Sequence, residues 1–300
     1  EQPSGYISPE ATSGELMALY PVGSLLNHDC CPNCQRLPLG PALAVRAVRD
    51  LAAGEELTVF YDEVRSPRSV RASVLEQKWG FECHCRRCTF EAALPPRVAA
   101  ELDRCHQLLQ ALKTTGQASE GDLRQQVRNG RRLAEKSAKS SEGQAWLKLS
   151  VFVLVAFELA NGLMATGRSQ EAQTLFAEIE QVYSQVLPSN TFHACVAHYL
   201  SFACLSGKAE GAYKDPDSLK FLSKSVGVHD ACYGGGARTW RLLVRKSLPA
   251  SVLSHVVSLA AKAGAPVAPS AAESTSTPSS GGRDAEQAAG AAAAPGPPES

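Results

Sequence analysis

The sequence lacks an excess of charge of either sign. Its 300 residues carry 30 basic and 30 acidic side chains, so no global field draws the chain to nucleic acid or to an anionic membrane. It also lacks a long apolar run. Segment 151–157 (VFVLVAF) is bracketed by Lys148 and Glu158, far short of the roughly 20 apolar residues that a membrane span needs. That segment is expected to be the central, buried helix of a helical array. No signal-peptide pattern stands at the start, and no G-x-G precedes Tyr20. Beyond Lys262 the chain is Ala, Pro, Ser, Gly and Thr with few charges. Such a segment cannot offset its ordering entropy, so residues 263–300 are expected to be disordered.

What is present is cysteine in an uneven distribution. Of ten cysteines, six fall at 30–34 and 83–88. The second group, Cys83-His84-Cys85-Arg86-Arg87-Cys88, is a C-x-C-x2-C run. It holds one thiol fewer than a closed tetrahedral zinc site requires. A fourth ligand must come from elsewhere, and Cys30, Cys31 and Cys34 are the candidates. Thiolate metal ligation rather than a disulfide framework implies a reducing compartment, cytosol or nucleus. Cys105, Cys195, Cys204 and Cys232 lie scattered in helical patterns and are expected to be buried small hydrophobes.

With 44% hydrophobic residues the chain can bury a core, and its length corresponds to roughly two domains. Residues 1–66 read as loops and short strands. Segments 43–48 and 57–61 are strand-like in composition, with Ala53-Gly54 supplying the turn between them. A helix is expected over 67–79, with Pro67 in its first turn and Val70, Val74, Leu75 and Trp79 at helical intervals. The cysteine loop follows and ends this part near residue 92. From 95 to 262 the apolar period becomes helical. Helices are expected at 97–113, 120–139, 142–166, 168–187, 190–206, 215–228 and 237–262, separated by Gly116, Gly167, Pro188, Gly207 and the Gly234-Gly235-Gly236 run. Their succession resembles a tetratricopeptide-like array with a ragged period.

Three motifs in order carry a family resemblance. They are Asn27-His28-Asp29-Cys30-Cys31-Pro32-Asn33, then Gly54-Glu55-Glu56-Leu57-Thr58-Val59-Phe60-Tyr61, then Phe81-Glu82-Cys83-His84-Cys85-Arg86-Arg87-Cys88. Together they resemble the C-terminal half of a SET domain and its post-SET segment, in the SET-and-MYND branch of protein-lysine methyltransferases. The likeness is dense from about Leu19 to Cys88 and looser beyond. It implies an α+β fold: a small β-rich SET portion with a zinc-bound post-SET loop, then an all-α array and the tail. It implies S-adenosylmethionine-dependent methylation of a protein lysine, on histone or other substrates. It also implies that these residues are a fragment, because the N-terminal SET half with its glycine-rich cofactor loop and the MYND finger are not among them.

The resemblance further assigns roles. Tyr61 is the catalytic tyrosine, its phenol oxygen able to accept a hydrogen bond from the lysine amine. Asn27, His28, Tyr61 and Phe81 contact the adenosyl cofactor, His28 mainly through its backbone and Phe81 as the aromatic cover. Trp79 stands where a tyrosine commonly lines the lysine channel. Cys30 completes the structural zinc site with Cys83, Cys85 and Cys88; Cys31 faces away, Cys34 is spare and His84 is not needed. Asp29 replaces a small hydroxyl residue and adds a charge beside cofactor and metal. Ser4-Gly5-Tyr6 stands where an asparagine, a small residue and an aromatic are usual, which leaves one cofactor hydrogen bond in doubt. The implied partners are a lysine-bearing protein or peptide and a protein bound by the helical array. A non-catalytic, SET-derived interaction module is the alternative.

Overall fold

The computed structural model describes residues 19–39, 41–115, 118–205, 216–236 and 239–240. Four short strands come first: β1 (Asn27–His28), β2 (Cys34–Leu39), β3 (Ala42–Ala47) and β4 (Thr58–Val59). They form two separate pairs. β2 and β3 are antiparallel, with Cys34 opposite Ala47 and Leu39 opposite Ala42, whereas β1 and β4 are parallel, with Asn27 opposite Thr58. The turn at Ala53-Gly54 exists: Glu55 N–H donates to Ala52 O at 3.1 Å, and Gly54 has φ +82°. It does not make a hairpin of the strand segments it joins, because β3 pairs backwards onto β2 and β4 pairs onto β1.

Nine helices follow among the described residues: α1 (Arg68–Trp79), α2 (Arg86–Ala92), α3 (Pro96–Thr115), α4 (Glu120–Ser137), α5 (Ser141–Val151), α6 (Val153–Ala165), α7 (Ser169–Val186), α8 (Thr191–Leu205) and α9 (Pro216–Tyr233). The chain is therefore α+β with a predominantly helical second part. Sequence signals mark several ends. Gly80 closes α1 in the left-handed region, φ +69°, and its N–H bonds Glu76 O. Ser119 and Asp122 form a reciprocal capping box at the start of α4.

The expected single helix over 142–166 is two helices, α5 and α6, bent by 63° at Phe152. Segment 151–157 straddles this break, with Phe152 fully buried. The cause is a close crossing. Gly130 of α4 lies against the break, where a Cβ would stand 3.0 Å from Val151 O and 3.3 Å from Phe152 Cβ. Phe152 in turn lies beneath the Arg131 guanidinium, 5.3 Å from its ring centre, and Arg131 and Lys148 both pair with Glu178. No single described helix is long and apolar enough to cross a membrane. Gly130→Ala is expected to lower stability, since a steric cost of about 1–3 kcal/mol exceeds a helix-propensity gain of about 1 kcal/mol. A raised urea midpoint in that variant would show that the break relaxes freely.

The main core joins both parts of the chain. Val64, ahead of α1, is buried with Trp146, Phe152, Phe176, Ile179 and Tyr183. The β2–β3 pair leans on the helices as well. Gln35 accepts from Thr191 N–H at 2.6 Å and donates to Cys232 Sγ, while Leu37 packs with Ala194 and Cys232. Cys195 departs from expectation: it is exposed, on the outward side of α8, while Cys105, Cys204 and Cys232 are buried. Of the helix expected at 237–262, only Thr239 and Trp240 are described, and the expected tail lies outside the described residues.

Candidate functional site

The site begins with one buried asparagine. Asn33 Oδ1 accepts the Thr58 N–H at 2.8 Å, and its amide donates to Glu56 O at 2.8 Å and Glu55 Oε1 at 3.0 Å. This side chain stitches the segment after β1 to the one entering β4, and the β1–β4 pairing continues through Asp29 N–H to Val59 O. The Asp29 carboxylate acts locally, accepting the Cys31 N–H at 2.7 Å and so turning the chain. Burial raises the Asp29 carboxyl to about 6.

The turn delivers Cys30, fully buried, to the cysteine loop. The sulfurs of Cys30, Cys83, Cys85 and Cys88 all lie within 4.8 Å of one another, and Cys30 and Cys88 are 3.6 Å apart. Tetrahedral zinc with bonds of about 2.3 Å has sulfur–sulfur edges of about 3.8 Å, so the cluster is of a size to hold that metal. The loop is built for this spacing. Cys85 caps α2, its sulfur accepting the Cys88 N–H, and one helical turn brings Cys88 back to the cluster. Cys31 packs toward the main core, Cys34 is buried on β2, and His84 is exposed; none of the three is in the cluster.

Beside the thiols sits an aromatic group. The Tyr61 ring lies 5.3 Å from His28, 5.4 Å from Trp79 and 6.2 Å from Phe81, and Phe81 lies 6.0 Å from His28. Gly80 makes this meeting possible by turning the chain between Trp79 at the end of α1 and Phe81. The Tyr61 hydroxyl donates to Leu26 O at 2.6 Å. Its backbone N–H donates to His28 Nδ1 at 3.0 Å. That bond places the imidazole proton on Nε2, which faces Cys30 Sγ at 3.3 Å. Burial lowers the His28 pKa to about 4. The His28 side chain thus spans metal cluster and aromatic group as a neutral donor. Asn27 stands apart, exposed, with its amide on Glu56 Oε1 at 2.6 Å.

Three further residues complete the neighbourhood, and sequence reasoning did not single them out. Arg71 of α1 donates to Cys30 Sγ at 3.3 Å, Cys88 Sγ at 3.5 Å and Glu91 Oε2 at 3.2 Å. Arg87 of α2 donates to Glu91 Oε1 at 2.7 Å, Val64 O at 2.6 Å and Ser150 Oγ at 2.8 Å. Glu91 is buried between them. Arginine and glutamate ordinarily lie on surfaces, and the contacts of Arg71 are far along the chain. The available signal was the i,i+4 spacing of Arg87 and Glu91 directly after a ligand run.

With this geometry in view, comparison with known proteins is specific. Residues 4–62 match the SET domain family. The histone-lysine N-methyltransferase SMYD3 of Mus musculus is 47% identical over 72 residues, 24% of this chain and 17% of that protein. The N-lysine methyltransferase SMYD2-B of Xenopus laevis is 35% identical over 81 residues, 27% of this chain and 19% of that protein. The histone-lysine N-methyltransferase set5 of Schizosaccharomyces pombe is 34% identical over 90 residues, 29% and 27% respectively. The matched segment therefore spans between about a sixth and a quarter of these relatives. Over residues 4–62 the chain is thus similar to SET domains, and the relatives it resembles include the SET-and-MYND methyltransferases SMYD3 and SMYD2-B.

Proposed function

We propose that the chain is the C-terminal SET portion, post-SET loop and helical array of an S-adenosylmethionine-dependent protein-lysine N-methyltransferase. The observation that carries this reading is the meeting of His28, Tyr61 and Phe81, from three motifs far apart in sequence, with Trp79 of α1 beside a four-thiol cluster. When bound, S-adenosylmethionine supplies an electrophilic sulfonium methyl. The residues here do the positioning. Tyr61 has committed its proton to Leu26 O, so its oxygen lone pairs can accept a hydrogen bond from a neutral lysine amine and orient its nitrogen. Phe81 and His28 offer a largely apolar wall that excludes water near the reacting centre, and Asn27, exposed at the end of β1, can meet the cofactor once Glu56 releases it. Trp79, 41% exposed, lines the approach for the lysine side chain, and its bulk limits how many methyls the channel accepts.

The metal has a structural part in this scheme. Zinc on Cys30, Cys83, Cys85 and Cys88 fixes the loop that presents Phe81. Cys85→Ser is expected to abolish stoichiometric zinc and to leave the loop open to proteolysis, because metal binding supplies folding energy at such sites. Stoichiometric zinc surviving in that variant would remove Cys85 from the ligand set. The function itself is tested by transfer of a labelled methyl group from S-adenosylmethionine to a protein lysine by the intact protein. Cofactor binding without any transfer to lysine would favour an interaction module instead.

A further inference from the structure

We infer that Arg71 is a positioning residue for the metal centre: its guanidinium holds the sulfurs of Cys30 and Cys88 in place and sets a positive charge beside them. This rests on the reading of the four thiols as a metal site, and it follows from a charge imbalance nearby. The side chains of Arg71, Arg87 and Glu91 are 2%, 0% and 1% exposed. Two guanidiniums therefore share one carboxylate, each taking one of its oxygens. Arg87 directs its other donors to neutral groups: the carbonyls of Val64 and Ser66 and the hydroxyl of Ser150. Arg71 bonds one carbonyl, Ser66 O, and turns its remaining donors to sulfur.

A buried cation without an equal countercharge is costly. Besides Glu91 and the Ser66 carbonyl, Arg71 donates to the sulfurs of Cys30 and Cys88. Four thiolates around one divalent ion carry excess negative charge in their turn, so cluster and cation complete each other. Arg71 bonds two of the four sulfurs from one face, and it is held at that angle by Glu91, itself held by Arg87 against Ser150 of α5.

The test uses the full chain and two variants. Zinc affinity is measured by competition with a chromophoric chelator, and thiolate-to-metal charge transfer is read on the cobalt-substituted protein. Arg71→Met leaves Glu91 paired with Arg87, and its zinc affinity is expected to fall by about 10–100-fold, as for other outer-shell partners. Its charge-transfer band should move to longer wavelength, because sulfur lone pairs rise in energy when they lose a hydrogen bond, a signature that lost packing alone would not give. Arg71→Lys keeps the charge but cannot reach both sulfurs and Glu91 together, so an intermediate loss is expected. Folded Arg71→Met with wild-type affinity and an unmoved band overturns the role of Arg71. Should that variant fail to fold, Arg71→Lys decides: unchanged affinity and band overturn the inference equally. A wild-type chain that takes up neither zinc nor cobalt overturns the metal site itself, and with it the role drawn here.

Discussion

Glu91→Gln is expected to destabilise the protein by about 3–5 kcal/mol, the usual cost of breaking a buried ion pair by removing one partner. The substitution barely changes shape, so lost packing contributes little. What changes is charge: Arg71 and Arg87, which bond one carboxylate oxygen each at 3.2 and 2.7 Å, lose their shared countercharge, and one of the two faces an amide N–H in place of an acceptor, in a site closed to water. Arg71 retains the sulfurs of the metal cluster. Arg87 is left with neutral partners alone, carbonyls and the Ser150 hydroxyl among them, so most of the cost falls on it. Folded domains are stable by only about 5–15 kcal/mol in total, which makes this one amide a threat to the native state. Urea unfolding of the zinc-loaded protein gives the value, and a loss below about 1 kcal/mol would contradict it. The double variant Arg87→Met with Glu91→Met separates the causes. If uncompensated charge is the reason, it should be less destabilised than the single variant, since it removes the buried cation together with its partner.

That buried triad marks where the sequence stops being legible. Helices with apolar residues at helical intervals could be read from their pattern: α3, α4, α7 and α8 lie within a few residues of their expected limits. The four cysteines that come together are those named from spacing and resemblance. Elements whose residues answer to a partner rather than to a local pattern were harder. β2 contains Pro38 and sits where extra thiols drew attention, and nothing local says that it pairs with β3. α2 is only seven residues long and begins inside the ligand spacing. The break at Phe152 depends on Gly130 of another helix, so a continuous apolar run read as one helix. Asn33 closes the first of the three motifs, yet its four side-chain hydrogen bonds to Glu55, Glu56 and Thr58 need the turn at Gly54 before they can exist. In each case the missing information was a contact across the fold.

Tyr61→Phe in the intact protein is expected to reduce methyl transfer by a factor of about 100 or more, as for other positioned polar groups, while folding changes by about 1 kcal/mol or less. The two effects separate because they arise at different atoms. Stability loses one hydrogen bond, the hydroxyl to Leu26 O at 2.6 Å. The ring keeps its contacts with His28, Trp79 and Phe81, and the backbone N–H keeps its bond to His28 Nδ1. Catalysis loses the lone pairs that orient the amine, an interaction that matters most as nitrogen, methyl and sulfur come into line. A hundredfold fall corresponds to about 2.7 kcal/mol of barrier, well above the folding cost. Cofactor affinity, carried mainly by Asn27, His28 and Phe81 on this reading, should change far less than turnover. Isothermal titration and initial rates on the same preparation give both numbers. Turnover close to wild type would return Tyr61 to a packing role at the end of β4; equal losses in affinity and rate would make it a binding residue alone.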